Sequence, residues 1–179
     1  MIAGSAGGIP LFAVPGRGTR PTLDRVREST FAILAPKLAA ARVLDLYAGT
    51  GALGIEALSR GAATCVFVES EERALRVLRR NLERTSLGAR ASVRRGRLPG
   101  ALRLVAGEAP FDLVLCDPPY AEAHWRDLLT ALVPLLADAF IVMWEHARGD
   151  VPDLPEPYRL RRMAEYGQTS VSFLGRGDA

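Results

Sequence analysis

From Arg42 onward the apolar residues change rhythm repeatedly, from short continuous runs to stripes spaced three or four apart. The runs at Val43–Leu46, Thr64–Glu69, Ala91–Arg95, Phe111–Cys116 and Ala139–Trp144 read as strands, the first of them, apolar and β-branched at its opening, as a buried one. Between them, Ala52–Leu58, Glu71–Arg84, a stretch from about Leu98 and Ala123–Leu136 read as helices. In Glu71–Arg84, the residues Ala74, Leu75, Val77, Leu78 and Leu82 form the buried side, and Arg73, Arg76, Arg80 and Arg84 the opposite one. Strand and helix in alternation predict an α/β fold with a doubly wound, mostly parallel sheet.

The two ends of the chain depart from this rhythm. A helix is expected over about Leu23–Leu38, with Val26, Phe31, Leu34 and Leu38 inward, Arg25 and Glu28 outward, and Thr22 as its N-cap. Before it, Ile2-Ala3-Gly4 and Leu11–Pro15 are apolar pieces broken by glycine and proline, which predicts a small β-hairpin or extended arm over residues 1–19. At the other end a proline-rich connector, Asp150–Pro157, precedes Tyr158–Met163 and Thr169–Leu174, expected as an antiparallel hairpin at the sheet edge. The 179 residues therefore divide into the extension, 1–19, and one main domain, 20–179, with seven strands.

Chemistry concentrates where two of the strands end. After Val43–Leu46 comes Tyr47-Ala48-Gly49-Thr50-Gly51-Ala52-Leu53-Gly54, a glycine turn opening a helix. Glycine suits such a seat because it accepts positive φ and lets a ligand approach the main chain. The spacing Gly49-x-Gly51-x-x-Gly54, with Glu69 about 20 residues on, also fits a dinucleotide fingerprint, so the turn alone leaves the nucleotide open. Asp45 tips the balance: a carboxylate at that strand end repels a pyrophosphate and attracts a sulfonium or ammonium, favouring S-adenosylmethionine over NAD. Glu69 suits the ribose hydroxyls of either.

The second concentration is Asp117-Pro118-Pro119-Tyr120, after Leu113–Cys116. Each proline holds the residue before it extended, which fixes the Asp117 carboxylate and the Pro118 carbonyl outward as acceptors for the two N–H hydrogens of a planar exocyclic amine. Tyr120 is placed to stack on the heterocycle, a contact worth roughly 1–3 kcal/mol.

Charge adds a partner. The net charge is only +3, but from Arg73 to Arg103 there are ten arginines and one acid, Glu83, which suits a phosphate-rich surface. Cys65 and Cys116 sit in apolar runs as free thiols, no metal-ligand spacing is present, and His124 and His146 form no triad and fit surface positions. No apolar run is long enough to span a bilayer, so a cytoplasmic protein without a membrane partner is expected.

Taken together, Ile2-Ala3-Gly4, Arg20-Pro21-Thr22-x-Asp24-Arg25-Val26-Arg27-Glu28, Leu44-Asp45-x-Tyr47 through Gly54, Glu56–Ala62 and Asp117–Tyr120 resemble the RsmD-type methyltransferases of bacteria over nearly the whole chain. The resemblance implies a class I, Rossmann-like enzyme that uses S-adenosyl-L-methionine to methylate the 2-amino nitrogen of one guanine in 16S ribosomal RNA. It also implies a partly assembled 30S subunit as substrate and a monomeric enzyme. On the family pattern Asp117, Pro118, Pro119 and Tyr120 form the amine pocket. Asp45, Gly49, Gly51 and Glu69 form the cofactor seat, with Thr22, Tyr47, Thr50 and Ser70 as further candidates; Arg17, Arg20, Arg25, Arg76 and Arg80 are the candidates for RNA. Two departures stand out: Gly7-Gly8-Ile9-Pro10 replaces the basic residues usual in the first hairpin, and Gly96-Arg97 replaces an acid after the third strand. Main-chain groups near Arg97 and Leu98 are then the candidates for reading adenine. The competing expectations are a DNA adenine-N6 methyltransferase, which lacks room here for a sequence-reading module, an NAD-dependent oxidoreductase, and a non-catalytic RNA-binding scaffold.

Overall fold

The structure, a computed structural model, describes residues 3–14, 21–119, 125–150 and 153–177. Its strands are β1 (Arg42–Leu46), β2 (Thr64–Glu69), β3 (Ala91–Arg95), β4 (Phe111–Cys116), β5 (Leu136–Ala147), β6 (Tyr158–Tyr166) and β7 (Thr169–Arg176). They form one sheet in the order β3-β2-β1-β4-β5-β7-β6. The first five run parallel, and β7 pairs antiparallel with both β5 and β6. The order reverses between β1 and β4, each of which is followed in sequence by one of the two motifs.

Alternate residues of the central strands feed two cores. Val43, Phe67, Leu113, Leu115 and Met143 face α1 (Pro21–Leu34), α2 (Ala52–Ser59) and α3 (Glu72–Arg84), through Phe31, Leu34, Ile55, Leu58, Leu75 and Leu78. Leu44, Leu46, Val66, Val114, Cys116 and Val142 face the opposite side, where α4 (Trp125–Leu132) contributes Leu128, Leu129 and Leu132. Both cysteines are buried, and neither is in a disulfide. Among the described residues no helix is long and apolar enough to cross a membrane.

Several expectations change. The helix expected to begin near Leu23 with Thr22 as its cap begins at Pro21, whose fixed φ suits a first helical position, so Thr22 lies within the first turn. It gives way at Ala35 to a short 3-10 turn that contains Pro36. The helix expected from Leu98 is two 3-10 turns, Gly100–Leu104 and Ala106–Glu108, in a stretch interrupted by Pro99, Gly100 and Gly107. The helix expected over Ala123–Leu136 is described over Trp125–Leu132, and Leu136 already opens β5. Val77 is only partly buried in α3.

The N-terminal extension differs most. Residues 3–14 carry turns and irregular backbone with no strand among them, because their polar groups bond to the helices beneath rather than across a ladder. Ser5 N–H donates to the Ser59 carbonyl at 2.8 Å, Ala6 N–H to Ser59 Oγ at 2.9 Å, and Ser59 Oγ to the Ala3 carbonyl at 2.6 Å. Ala3 N–H reaches the buried Glu56 carboxylate at 3.1 Å, and Ala6 is buried in the first core. Gly4, at φ +81°, permits this approach: a Cβ there would stand 2.0 Å from the Ser59 carbonyl oxygen.

Candidate active site

Leu46 is in register with Val68 on one side and with Cys116 on the other. Tyr47, Glu69 and Asp117 therefore leave three adjacent strands at the same level, and with strands about 4.8 Å apart the two flanking acids stand about 10 Å from one another across the β1 turn. The glycine seat and the double-proline corner are neighbours.

The β1 turn is built on left-handed backbone. Gly49 and Gly51 have φ of +55° and +82°, and Tyr47, a bulky residue for which this is unusual, has +55°. Such strain concentrates at ligand seats. Gly54 has a different reason to lack a side chain: a Cβ would lie 2.3 Å from the Phe67 ring and 2.6 Å from Cys65 Sγ, so glycine lets α2 close onto β2.

Each carboxylate has a distinct setting. Asp45 is buried, and its Oδ2 accepts the Gly54 N–H at 2.9 Å, in the first turn of α2, where a helix dipole favours negative charge. It supports the turn from behind instead of facing the open crevice, which corrects the sequence expectation. Desolvation, opposed by that hydrogen bond and reinforced by Asp117 and Glu69, pushes its carboxyl up from 3.8 to about 8. Glu69 is half-buried: Oε2 accepts Gly49 N–H at 2.8 Å, while Oε1 accepts the N–H groups of Ser70 and Glu71 at 2.6 and 2.7 Å. Ser70 itself is exposed. Asp117 is exposed, and desolvation by the protein around its carboxyl raises it from 3.8 to about 6. Because water reaches it, the rise reflects partial desolvation only.

Asp45 yields a testable pH dependence. A carboxyl near 3.8 when unfolded and near 8 when folded binds an extra proton in the folded state between those values. Stability is therefore highest below about pH 4 as far as this group is concerned and is lost as pH rises through about 8, at up to about 1.4 kcal/mol per pH unit. Asp45→Asn, which keeps an oxygen for Gly54, is expected to flatten that decline in urea unfolding at about pH 6 and about pH 8.5. An unaltered slope would show that the group is not the source.

Beyond β3, Gly96 N–H donates to the Glu69 carbonyl at 3.0 Å, and Arg95, Gly96, Arg97, Gly100, Ala101, Arg103 and Leu104 line a cleft of about 480 Å³. Arg97 is exposed, its carbonyl accepts Ala101 N–H at 2.9 Å, and Leu98 packs against the second core. Pro118 is half-buried and Pro119 exposed beside Asp117. Of the basic candidates, Arg25 is exposed on α1 and Arg76 is exposed on α3, with Glu72 at 3.9 Å. Arg80 is engaged: its guanidinium lies 4.4 Å from the centre of the Phe12 ring. Tyr120, Arg17, Arg20 and His124 lie outside the described residues, as does the side chain of Thr22.

Sequence reasoning overlooked buried polar groups. Asn81, wholly buried in α3, binds Phe12 and Thr50; its position within the apolar stripe of that helix was the available signal. His146 is buried rather than superficial, with Nε2 2.8 Å from Ser172 Oγ. It sits on the side of β5 that faces β7, which a strand ending at Trp144 would not have included.

Residues 1–175 match the family model described as Conserved hypothetical protein 95. The chain is 39% identical to the putative rRNA methyltransferase YlbH of Bacillus subtilis, with 96% of each chain covered. It is 34% identical to the ribosomal RNA small subunit methyltransferase D of Escherichia coli K12, covering 98% of this chain and 89% of that one. This chain belongs to the ribosomal RNA small subunit methyltransferase D family. Among solved structures, the putative methyltransferase yhhF of Escherichia coli superposes with a TM-score of 0.84 at 34% identity, over 100% of this chain and 98% of that one. The seven-stranded arrangement with a C-terminal antiparallel pair is thus the family's architecture: the class I methyltransferase fold that the resemblance implied, on the doubly wound sheet that the strand and helix alternation predicted.

Proposed function

We propose that this protein transfers a methyl group from S-adenosyl-L-methionine to the 2-amino nitrogen of a guanine in 16S ribosomal RNA, the family's guanine 966, in a partly assembled 30S subunit. The observation that carries the proposal is the adjacency of the Gly49–Gly51 turn and the Asp117–Pro119 corner on neighbouring parallel strands. Membership of a family whose relatives are named rRNA methyltransferases supports the substrate class.

The residues fit that cofactor. Asp45, Glu69 and Asp117 gather at one end of the sheet, where their carboxylates suit a sulfonium and an ammonium. A pyrophosphate would be repelled there, which disfavours a dinucleotide. When bound, S-adenosylmethionine supplies an electrophilic methyl group. Gly49, Gly51 and Glu69 would hold it at the β1 turn, Glu69 with lone pairs beyond those used by main-chain N–H groups. The Asp117 carboxylate and Pro118 carbonyl accept the two amine hydrogens and keep the nitrogen lone pair directed at the donor. Asp117, mostly ionised at neutral pH, then takes the proton that the methylated nitrogen sheds. Alignment does most of the remaining work.

Mass-spectrometric mapping of methylated nucleotides in 16S ribosomal RNA from a strain lacking this protein tests the reading. Loss of one N2-methylguanine, restored by purified protein on subunits from that strain, is the expected outcome; an unchanged pattern would remove the substrate assignment. On the exposed face of α3, Arg76→Glu is expected to weaken subunit binding and lower the slope of log affinity against log salt by about 1. If both stay as in the parent protein, Arg76 faces solvent only.

A further inference from the structure

Asn81 is an anomaly in α3. It occupies the inward stripe that Ala74, Leu75, Leu78 and Leu82 otherwise fill, and none of its surface reaches water. A carboxamide buried there is tolerated only if its polar atoms are bonded. Its Oδ1 accepts the Phe12 N–H at 2.8 Å, and its Nδ2 donates to the Phe12 carbonyl at 3.1 Å and to the Thr50 carbonyl at 2.9 Å. Toward Phe12 the side chain thus behaves as a neighbouring strand would, engaging both main-chain groups. Toward Thr50 it fixes the cofactor turn, for the peptide joining Thr50 to Gly51 has its carbonyl held by Asn81 and its N–H held by the Ala48 carbonyl at 2.7 Å.

Phe12 is clamped from outside as well, its ring lying 4.4 Å from the Arg80 guanidinium and 5.0 Å from that of Arg84. The segment over residues 3–14 has two anchors: Ala3 to Ala6 on the end of α2, and Phe12 on the last turns of α3. In sequence Arg17 and Arg20 follow Phe12 by five and eight residues.

We infer that Asn81 is a positioning residue that couples docking of the N-terminal segment to the order of the glycine turn, so that the RNA substrate and the cofactor strengthen each other's binding. The inference rests on the methyltransferase reading for the identity of the ligands, but the coupling is a property of the hydrogen bonds alone. If the segment lifts, Asn81 loses both Phe12 partners and the cover that excludes water, so water competes for its carboxamide and the hold on the Thr50 carbonyl weakens. An RNA that holds the segment down therefore favours the ordered turn, and a ligand of the turn favours the docked segment by the same factor.

The test uses the full chain with Phe12→Ala, which removes a ring that is 36% exposed and lies against Arg80 and Arg84, and Asn81→Leu, each checked for folding by circular dichroism. Two readouts are followed: the calorimetric Kd for S-adenosylhomocysteine and hydrogen exchange at the Gly51 amide. Phe12→Ala is expected to weaken the ligand about 5-fold and speed Gly51 exchange, and Asn81→Leu to do both by about 10-fold or more. The double variant is expected to fall short of the product of the two, since both act on one linkage. A folded Phe12→Ala with unchanged Kd and unchanged exchange overturns the coupling, as does strict multiplication of the two effects. If the parent protein binds no S-adenosylhomocysteine while Phe12→Ala still speeds Gly51 exchange, the cofactor assignment fails and the coupling stands.

Discussion

Asp117→Ala is expected to reduce methyl transfer roughly 100- to 1000-fold, the range seen when a single preorganised polar contact to a reacting centre is removed. Cofactor affinity should change by no more than about threefold, because the seat on β1 and β2 is built from other residues. The reason lies in what Asp117 alone provides: the strand-end carboxylate that grips the amine and then accepts its proton. Its carboxyl titrates near 6, so the parent enzyme should lose turnover as pH falls through about 6, when protonation turns an acceptor into a donor. Asp117→Asn keeps one acceptor oxygen, abolishes that acid limb and should fall between the parent and the alanine variant. Single-turnover rates across pH, alongside calorimetric titration with S-adenosylhomocysteine, separate the two effects. Turnover equal to the parent's would exclude Asp117 from the amine pocket.

Gly54→Ala should have the largest effect on stability, and its sign is set by two opposed terms. At an ordinary helical position, replacing glycine by alanine stabilises by about 0.4–1 kcal/mol through the unfolded chain. At this position the added methyl would meet the Phe67 ring at 2.3 Å, Cys65 Sγ at 2.6 Å and Asp45 Oδ2 at 2.8 Å, all in buried side chains. Overpacking of that kind costs about 1–3 kcal/mol and outweighs the gain. The helix must move off β2, carrying the Gly54 N–H away from Asp45, so the turn should loosen and S-adenosylhomocysteine affinity should fall about 10-fold. Urea unfolding and calorimetry measure both. An alanine variant at least as stable as the parent would mean that α2 has slack against the sheet.

Much of the fold was legible because burial on both faces imposes a continuous apolar run: β2 and β4 begin and end where their runs do. The mutual placement of the two motifs was also readable, since both follow strand ends in a parallel sheet. What escaped depended on partners distant in sequence. The apolar pieces broken by glycine and proline in residues 1–19 suggest a hairpin or extended arm, but the N–H and carbonyl groups of residues 3–14 find Ser59, Glu56 and Asn81, more than fifty residues away. Asp45 was expected to face the ligand; which way a strand-end side chain turns depends on the nearby Gly54 N–H, and only the packed helix supplies it. Leu98–Glu108 has helical apolar spacing yet forms 3-10 turns, where glycine and proline outweigh the pattern.

The position of β7 carries a consequence for biosynthesis. This strand is made after β6 but lies inside it, filling the gap beside β5. While Thr169–Arg176 remains within the ribosome, β5 has a bare edge from Val142 to Ala147 and β6 has no ladder to join. The five parallel strands and both motif corners need nothing from β7 to pair, and β6 reaches the sheet only by way of β7, to which a two-residue turn joins it.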